Sequence, residues 1–235
     1  MSDTDPSIVR RHPSSRRTQA ERSAVMRLRL LDAAVRVLID RGYAGATVRA
    51  ICAESGVSAG ALQHHFASKE EIVLAALDHV FAEVVARLEA LDAAPAAPAA
   101  RADRIIDSLW EFYGGPRYVA ASEILMGLRQ IPALRPRLVE TRERLTLHYR
   151  RMWDRLMHDT PLGARHRLPL LTFTIATLRG LALIQVNGPD PALVAPQLDL
   201  LRAILARALR EGDAFLAGEA EGGAVRRARP RLAVV

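Results

Sequence analysis

Four features of this chain could do chemistry: a serine inside Gly56-Val57-Ser58-Ala59-Gly60, the adjacent pair His64-His65, a lone Cys52, and Lys69, the sole lysine among 33 basic residues. The pattern G-x-S-x-G is the nucleophile elbow of serine hydrolases, where a strand runs into the serine and a helix leaves it beneath a sheet. Here the residues before it carry helical spacing, and no stretch of the chain alternates apolar and polar residues as a half-buried strand does. Ser58 is therefore a helix cap, and the hydrolase reading fails. His64 and His65 are neighbours, so they face different ways and cannot share an ion as i, i+4 histidines could. The other histidines show no ligand spacing, and no glycine loop is built to cradle phosphate. One cysteine permits no internal disulfide, which suits a reducing compartment, and Cys52 is expected as an ordinary buried helix residue. No catalytic residue, metal or cofactor is expected.

What these residues share is a place in two short helices about a tight turn, Thr47 to Lys69. The Thr47 hydroxyl caps the first by accepting from free N–H groups of its opening turn. Val48, Ile51 and Cys52 fall on one face. Gly56 tolerates the positive φ that ends a helix. Val57 plugs the corner, Ser58 caps the second helix, and Leu62 and Phe66 point from that helix into a small core. Ala59, Gly60, Ala61, Gln63 and His64 are left facing outward. Small residues let a helix approach a duplex closely, and polar ones reach bases or phosphates. Helix, glycine-containing turn, helix is the helix-turn-helix pattern.

The run from Gly56 through Leu62-Gln63-His64-His65-Phe66 to Lys69-Glu70-Glu71 closely resembles the DNA-binding segment of TetR-family transcriptional regulators. Upstream, Gly42-Tyr43 and Thr47-Val48-Arg49-Ala50-Ile51 also fit, so the likeness covers roughly residues 24–77. Cys52 and Ser55 stand where the family usually carries alanine, and Gln63 where it usually carries a tyrosine that meets a phosphate. The resemblance implies that Arg49, Ala59, Gln63 and His64 meet base edges or nearby phosphates, with Gly60 also on the DNA-binding surface. It implies that Thr47, Ser58, His65 and Lys69 hold the backbone, and that Arg16 and Arg17 track an adjacent groove. It implies a TetR/AcrR-type regulator, a repressor released from a near-palindromic operator by a small, largely apolar effector.

Charge distribution agrees. The net charge is +7, and residues 10–49 hold ten arginines against Glu21, Asp32 and Asp40. A basic lead-in is the electrostatic footprint of phosphate binding. No run of about 20 uncharged apolar residues suggests a membrane span, and the first residues form no apolar signal segment. A cytoplasmic protein is the expectation.

The rest of the chain predicts an all-α fold. Leu28, Leu31, Val35 and Leu38 mark a first helix from about Arg17 to Arg41, closed by Gly42. A fourth helix runs from Ser68 to about Leu91, joining the reading head to the body, and regulation is expected to run through it. DAAPAAPAA, residues 92–100, is a proline-broken linker. Helices follow near 101–113, 117–130, 134–159, 166–187 and 191–211. The division is a flexible basic arm over 1–16, a helix-turn-helix domain over 17–67, an effector-binding and dimerisation domain over 68–211, and a disordered tail over 212–235. The last two long helices are apolar nearly all round. They read as half of a two-fold four-helix interface, which is also how the family dimerises, with Leu178, Leu181, Ile184, Leu201 and Leu205 at its seam. Large rings and isolated polar groups at Trp110, Tyr113, Tyr118, Met126, Gln130, His148, Trp153, Phe173 and Thr177 suggest an effector pocket. The competing reading is a helical nucleic-acid-binding or scaffolding protein without ligand control, which shares the basic front but lacks the aromatic platform favoured for single-stranded RNA.

Overall fold

The computed structural model describes residues 18–91 and 96–217. All regular structure among them is helical. Helix α1, Gln19–Gly45, opens on a capping box: the Thr18 hydroxyl accepts from the Glu21 N–H at 3.2 Å and the Glu21 carboxylate accepts from the Thr18 N–H at 2.7 Å, two orphan donors satisfied reciprocally. Its buried stripe runs through Leu30, Leu31, Ala34, Val35 and Leu38. Gly42 breaks the helix at φ 62°, so Tyr43 turns away from the axis. Helices α2, Val48–Ser55, and α3, Ala59–His65, are joined at Gly56, which sits in the left-handed region at φ 65°. Only a residue without a Cβ adopts that conformation at little cost.

Helix α4, Lys69–Glu89, leaves the head, and α5, Pro98–Tyr113, starts the body. Helix α6, Pro116–Leu128, a short 3₁₀ turn and α7, Arg135–Leu156, follow; α8, Ala164–Ile184, a 3₁₀ turn and α9, Pro191–Glu211, complete the long helices. Pro98, from the stretch read as a linker, opens α5, and Pro116, Pro136 and Pro191 stand in the first turns of α6, α7 and α9. A missing N–H costs nothing in a first turn, whose donors have no partner anyway. The stretch 212–235 expected to be a tail begins with a further helix, α10, Asp213–Ala217. Asp213 accepts from the Gly163 N–H at 2.9 Å and contacts His166 at 2.8 Å, tying α10 to the start of α8.

Head and body share one core. Ile51, Leu62 and Phe66 of the head join Leu30 and Leu38 of α1, and Ile72, Leu77, Val80 and Val84 of α4 continue that core into Ile105, Leu109 and Ile124 of the body. Helix α1 packs on α6 as well as on α2 and α4, and α5 packs along α9. By length and composition α8 is apolar enough to cross a membrane, with a mean hydropathy of 1.4 over its most apolar stretch, of which 33% is buried inside the protein.

Candidate nucleic-acid interface and ligand site

The helix-turn-helix is assembled from local rules. Thr47 Oγ1 accepts from the Ala50 N–H at 3.1 Å and Ser58 Oγ from the Ala61 N–H at 3.3 Å, so each short helix carries its own cap. The Ser58 hydroxyl is thus a structural acceptor, with its proton free to donate outward. Leu62 and Phe66 are buried, and the Arg27 guanidinium of α1 lies 4.3 Å from the Phe66 ring centroid. Arg36 of α1 pairs with Glu54 of α2 at 2.6 Å. These contacts fix α3 with Ala59, Gly60, Ala61, Gln63 and His64 on one exposed face, beside exposed Thr47, Arg49 and Ser58. A Cβ built on Gly60 meets nothing within 4 Å, so the space before this face is open. His65 is half-buried beside the His64 ring. Arg16 and Arg17 lie outside the described residues.

Lys69 is more constrained than a free phosphate-seeking lysine. Its Nζ donates to the Tyr43 carbonyl at 2.8 Å and lies 4.3 Å from the Tyr43 ring centroid. The ring in turn lies against the α6 backbone: a Cβ on Gly127 would overlap it, 2.6 Å from Cδ2. Glu123 of α6 accepts from the Tyr43 N–H at 3.2 Å. Tyr43, Lys69, Glu123 and Gly127 therefore form a second joint between head and body, in addition to α4. Sequence reasoning missed it because nothing in the spacing of Glu123 and Gly127 announces a partner some 80 residues upstream. A polar knot lies nearby: His79 Nε2 of α4 is 2.9 Å from Asp32 of α1 and 3.4 Å from Glu83, whose carboxylate Arg117 of α6 grips at 2.6 Å. These three groups lie close enough to hold an ion, but Arg117 already supplies the positive charge.

The residues expected to line one pocket do not surround one cavity. Tyr113 and Tyr118 are buried against Phe112, with ring centroids 4.9–6.0 Å apart in edge-to-face or similar packing. Trp153 is buried and Trp110 half-buried. Met126 is 60% exposed and Phe173 47% exposed, so both lie on the surface. Gln130 is exposed beside a shallow hollow with Arg135 and Val139, and the Thr177 hydroxyl donates back to the Phe173 carbonyl at 2.9 Å. Of the expected residues, His148 lines a groove of about 360 Å³ between α4 and α7, with Phe81, Val85 and Leu145 as its apolar wall. Sequence could identify the rings but not which helix faces meet.

The dimer seam needs a similar correction. Leu178, Leu181, Leu201 and Leu205 are buried inside the single chain, because α8 and α9 turn those positions toward α5 and α7. Of the five named, Ile184 alone is exposed. The large apolar residues left open on these helices are Leu168, Phe173, Leu183, Ile184, Leu193 and Leu200.

A capped, arginine-braced tri-helical head with an open recognition face, carried on a larger helical body, defines a helix-turn-helix DNA-binding protein. Residues 30–76 match the family model described as bacterial regulatory proteins, tetR family. The chain is 29% identical over 167 residues to the HTH-type transcriptional regulator CymR of Pseudomonas putida, covering 71% of this chain and 82% of that protein. A transcriptional regulator from Rhodococcus superposes with a TM-score of 0.59 at 24% identity, over 77% of this chain and 96% of that one. The multidrug binding protein EbrR, solved with ethidium, superposes at 0.54 with 26% identity, over 76% and 97%. Residues 30–76 thus carry a DNA-binding segment of tetR-family type, and the chain as a whole is similar to HTH-type transcriptional regulators of the TetR/AcrR kind.

Proposed function

We propose that this protein works as a homodimer that represses transcription from a near-palindromic operator and is released by a small effector bound in its body. The exposed face of α3 carries the reading, because its polar and small side chains are exposed among the described residues while its opposite side is buried. Arg49, Ala59, Gly60, Gln63 and His64 select sequence, and Thr47, Ser58, His65 and Lys69 set affinity and salt dependence through phosphates. Lys69 keeps two of its three protons for a phosphate while the third holds the Tyr43 carbonyl. The open apolar positions of α8 and α9, Phe173, Leu183, Ile184, Leu193 and Leu200, support self-pairing through those helices. Two heads so paired demand half-sites about 34–36 Å apart or a multiple of that.

Release works by population shift. A ligand changes operator affinity only as far as it binds the two head separations unequally. Helix α4 and the Tyr43–Gly127 joint both connect body to head, so a rearrangement of α4, α6 or α7 reaches α3. That the relative EbrR is described as a multidrug binding protein supports a ligand-responsive body. The test is fluorescence anisotropy on duplex DNA from the gene's own upstream region, against unrelated duplex and single strand, across a salt series. Duplex-specific binding that weakens steeply with salt supports the reading. Equal affinity for single strand and duplex would instead support a general nucleic-acid-binding role.

A further inference from the structure

The corner where α6 gives way to α7 carries positive charge that the protein leaves unneutralised. Residues 125–142 hold four arginines, Arg129, Arg135, Arg137 and Arg142, against Glu140 alone. All four arginines are exposed, and among the described residues no carboxylate lies within ion-pair distance of any of them. Other arginines of the same two helices behave differently: Arg117 of α6 grips Glu83, and Arg144 of α7 pairs with Asp78 at 2.8 Å and with Glu140 at 3.2 Å. Nor do the corner arginines serve their own helix. Arg135 and Arg137 stand in the first turn of α7, which has no side-chain cap and no acidic residue, although the dipole at that end favours anions over cations. Arg129, Gln130 and Arg135 line one shallow hollow of about 600 Å³. A concentration of one sign of charge on an open surface attracts a partner of the other sign.

This surface is continuous with the phosphate-binding edge of the head. The Lys69 ammonium lies 4.3 Å from the centroid of the Tyr43 ring, that ring lies against Gly127, and Arg129 follows two residues later. With consecutive Cα atoms about 3.8 Å apart, the Arg129 Cα is within roughly 17 Å of the Lys69 Nζ. A duplex carries one charge per about 1.7 Å of its axis, so roughly ten phosphates fall within such a length. We propose that the α6–α7 corner binds the backbone of the same duplex, beside the phosphates that Lys69 and Thr47 meet, and so gives the body a direct hold on DNA. This rests on the DNA-binding reading above and widens its surface from head to body. Arg129 and Arg135 make the contacts, and Arg137 and Arg142 add to the attracting field. Continuity with Lys69 favours the duplex over an acidic protein as the occupant. Phosphate contacts carry no sequence information, so the corner raises affinity for any sequence without changing which one is preferred. A rearrangement of α6 or α7 would then withdraw a DNA contact directly, without passing through α4.

The experiment measures anisotropy of full-length protein on duplex from the gene's own upstream region across a salt series. It compares wild type with Arg129→Gln/Arg135→Gln and with Arg150→Gln/Arg151→Gln. The second double variant removes the same charge from exposed positions about 22 Å farther along α7, beyond the roughly 10 Å over which 0.1 M salt lets exposed charges interact. Each lost phosphate contact lowers the salt slope by about 0.9, so in the corner variant the affinity lost between about 50 and 200 mM salt should shrink about twelvefold. Its preference for this duplex over an unrelated one should match wild type, and so should its melting temperature, because neither side chain has an ion pair to lose. The Arg150→Gln/Arg151→Gln variant should keep the wild-type slope. A wild-type slope in the corner variant, or an equal loss in both variants, would overturn the proposal. A changed sequence preference or a lowered melting temperature in the corner variant would do the same, by making these arginines part of the reading face or of the fold. If wild type shows no salt-dependent duplex binding, the DNA-binding reading itself fails. If wild type binds with a steep slope that the corner variant retains, the head binds alone and only the corner falls.

Discussion

Gly127→Ala is the most economical perturbation of the joint between head and body. The added methyl would be 2.6 Å from Cδ2 of Tyr43, at the base of the ring rather than at a flexible tip, so the ring or the helix must move. The ring has little room, since the Lys69 ammonium stands 4.3 Å from its centroid and the Tyr43 N–H and C=O are both engaged, by Glu123 and Lys69. Overpacking of this kind costs about 1–3 kcal/mol. For a chain of this size that lowers the melting temperature by about 2–12 °C. Because the displaced groups are Lys69, at the start of α4, and Tyr43, at the end of α1, the head also shifts relative to the body. Affinity for duplex should fall about five- to hundredfold, the usual span of a coupling free energy. Scanning fluorimetry reads the first effect and anisotropy on labelled duplex the second. The double variant Gly127→Ala/Tyr43→Ala should be less destabilised than the sum of its parts, because removing the ring removes the clash. Wild-type stability and DNA affinity in Gly127→Ala, or strict additivity in the double variant, would refute the joint.

Three further expectations follow from particular positions. Gly60→Ala should stabilise the protein by about 0.5–1 kcal/mol, since alanine is the better helix former and its methyl meets nothing in the free protein, yet weaken duplex binding because that methyl stands on the recognition face; melting and anisotropy on one sample check both signs. Leu200→Arg, at a position 57% exposed in the single chain, should leave helicity intact while weakening self-association about thirtyfold or more, as loss of a hot spot does, and sedimentation velocity over a dilution series reads it. The Arg101 guanidinium hydrogen-bonds Asp159 and holds its carboxyl down at about 2, against an ordinary 3.8; because the folded value is the lower one, this stabilisation is complete above about pH 4 and disappears as pH falls toward 2. Asp159→Asn should therefore flatten the acid limb of a stability–pH curve, and an unchanged limb would remove the pair from the account.

How much of this was legible beforehand depended on whether the determinant was local. The caps at Thr47 and Ser58, the turn at Gly56 and the inward Leu62 and Phe66 follow from neighbours within a few residues, and all could be read directly. The end of α1 was legible in kind but not in place: Gly42 breaks the helix, yet Tyr43 to Gly45 continue beyond it. Surfaces made between distant helices could not be read. An all-apolar helix does not say which face meets its own core, so Leu178 and Leu181 were assigned to a seam that Phe173, Leu183 and Ile184 are free to form. Aromatic residues likewise signal burial without saying what they bury against. Met126 and Trp153 look alike in sequence as pocket material, and the fold puts one on the surface and the other in the core.

The central claim is that one exposed helix face is presented twice by a body that pairs with itself. In-vitro selection of random duplexes by the purified protein tests it most directly. The account predicts enrichment of two inverted half-sites whose centres lie about 10–10.5 base pairs apart, or a multiple of that. Enrichment of a single unpaired motif, or of no motif at all, would contradict it.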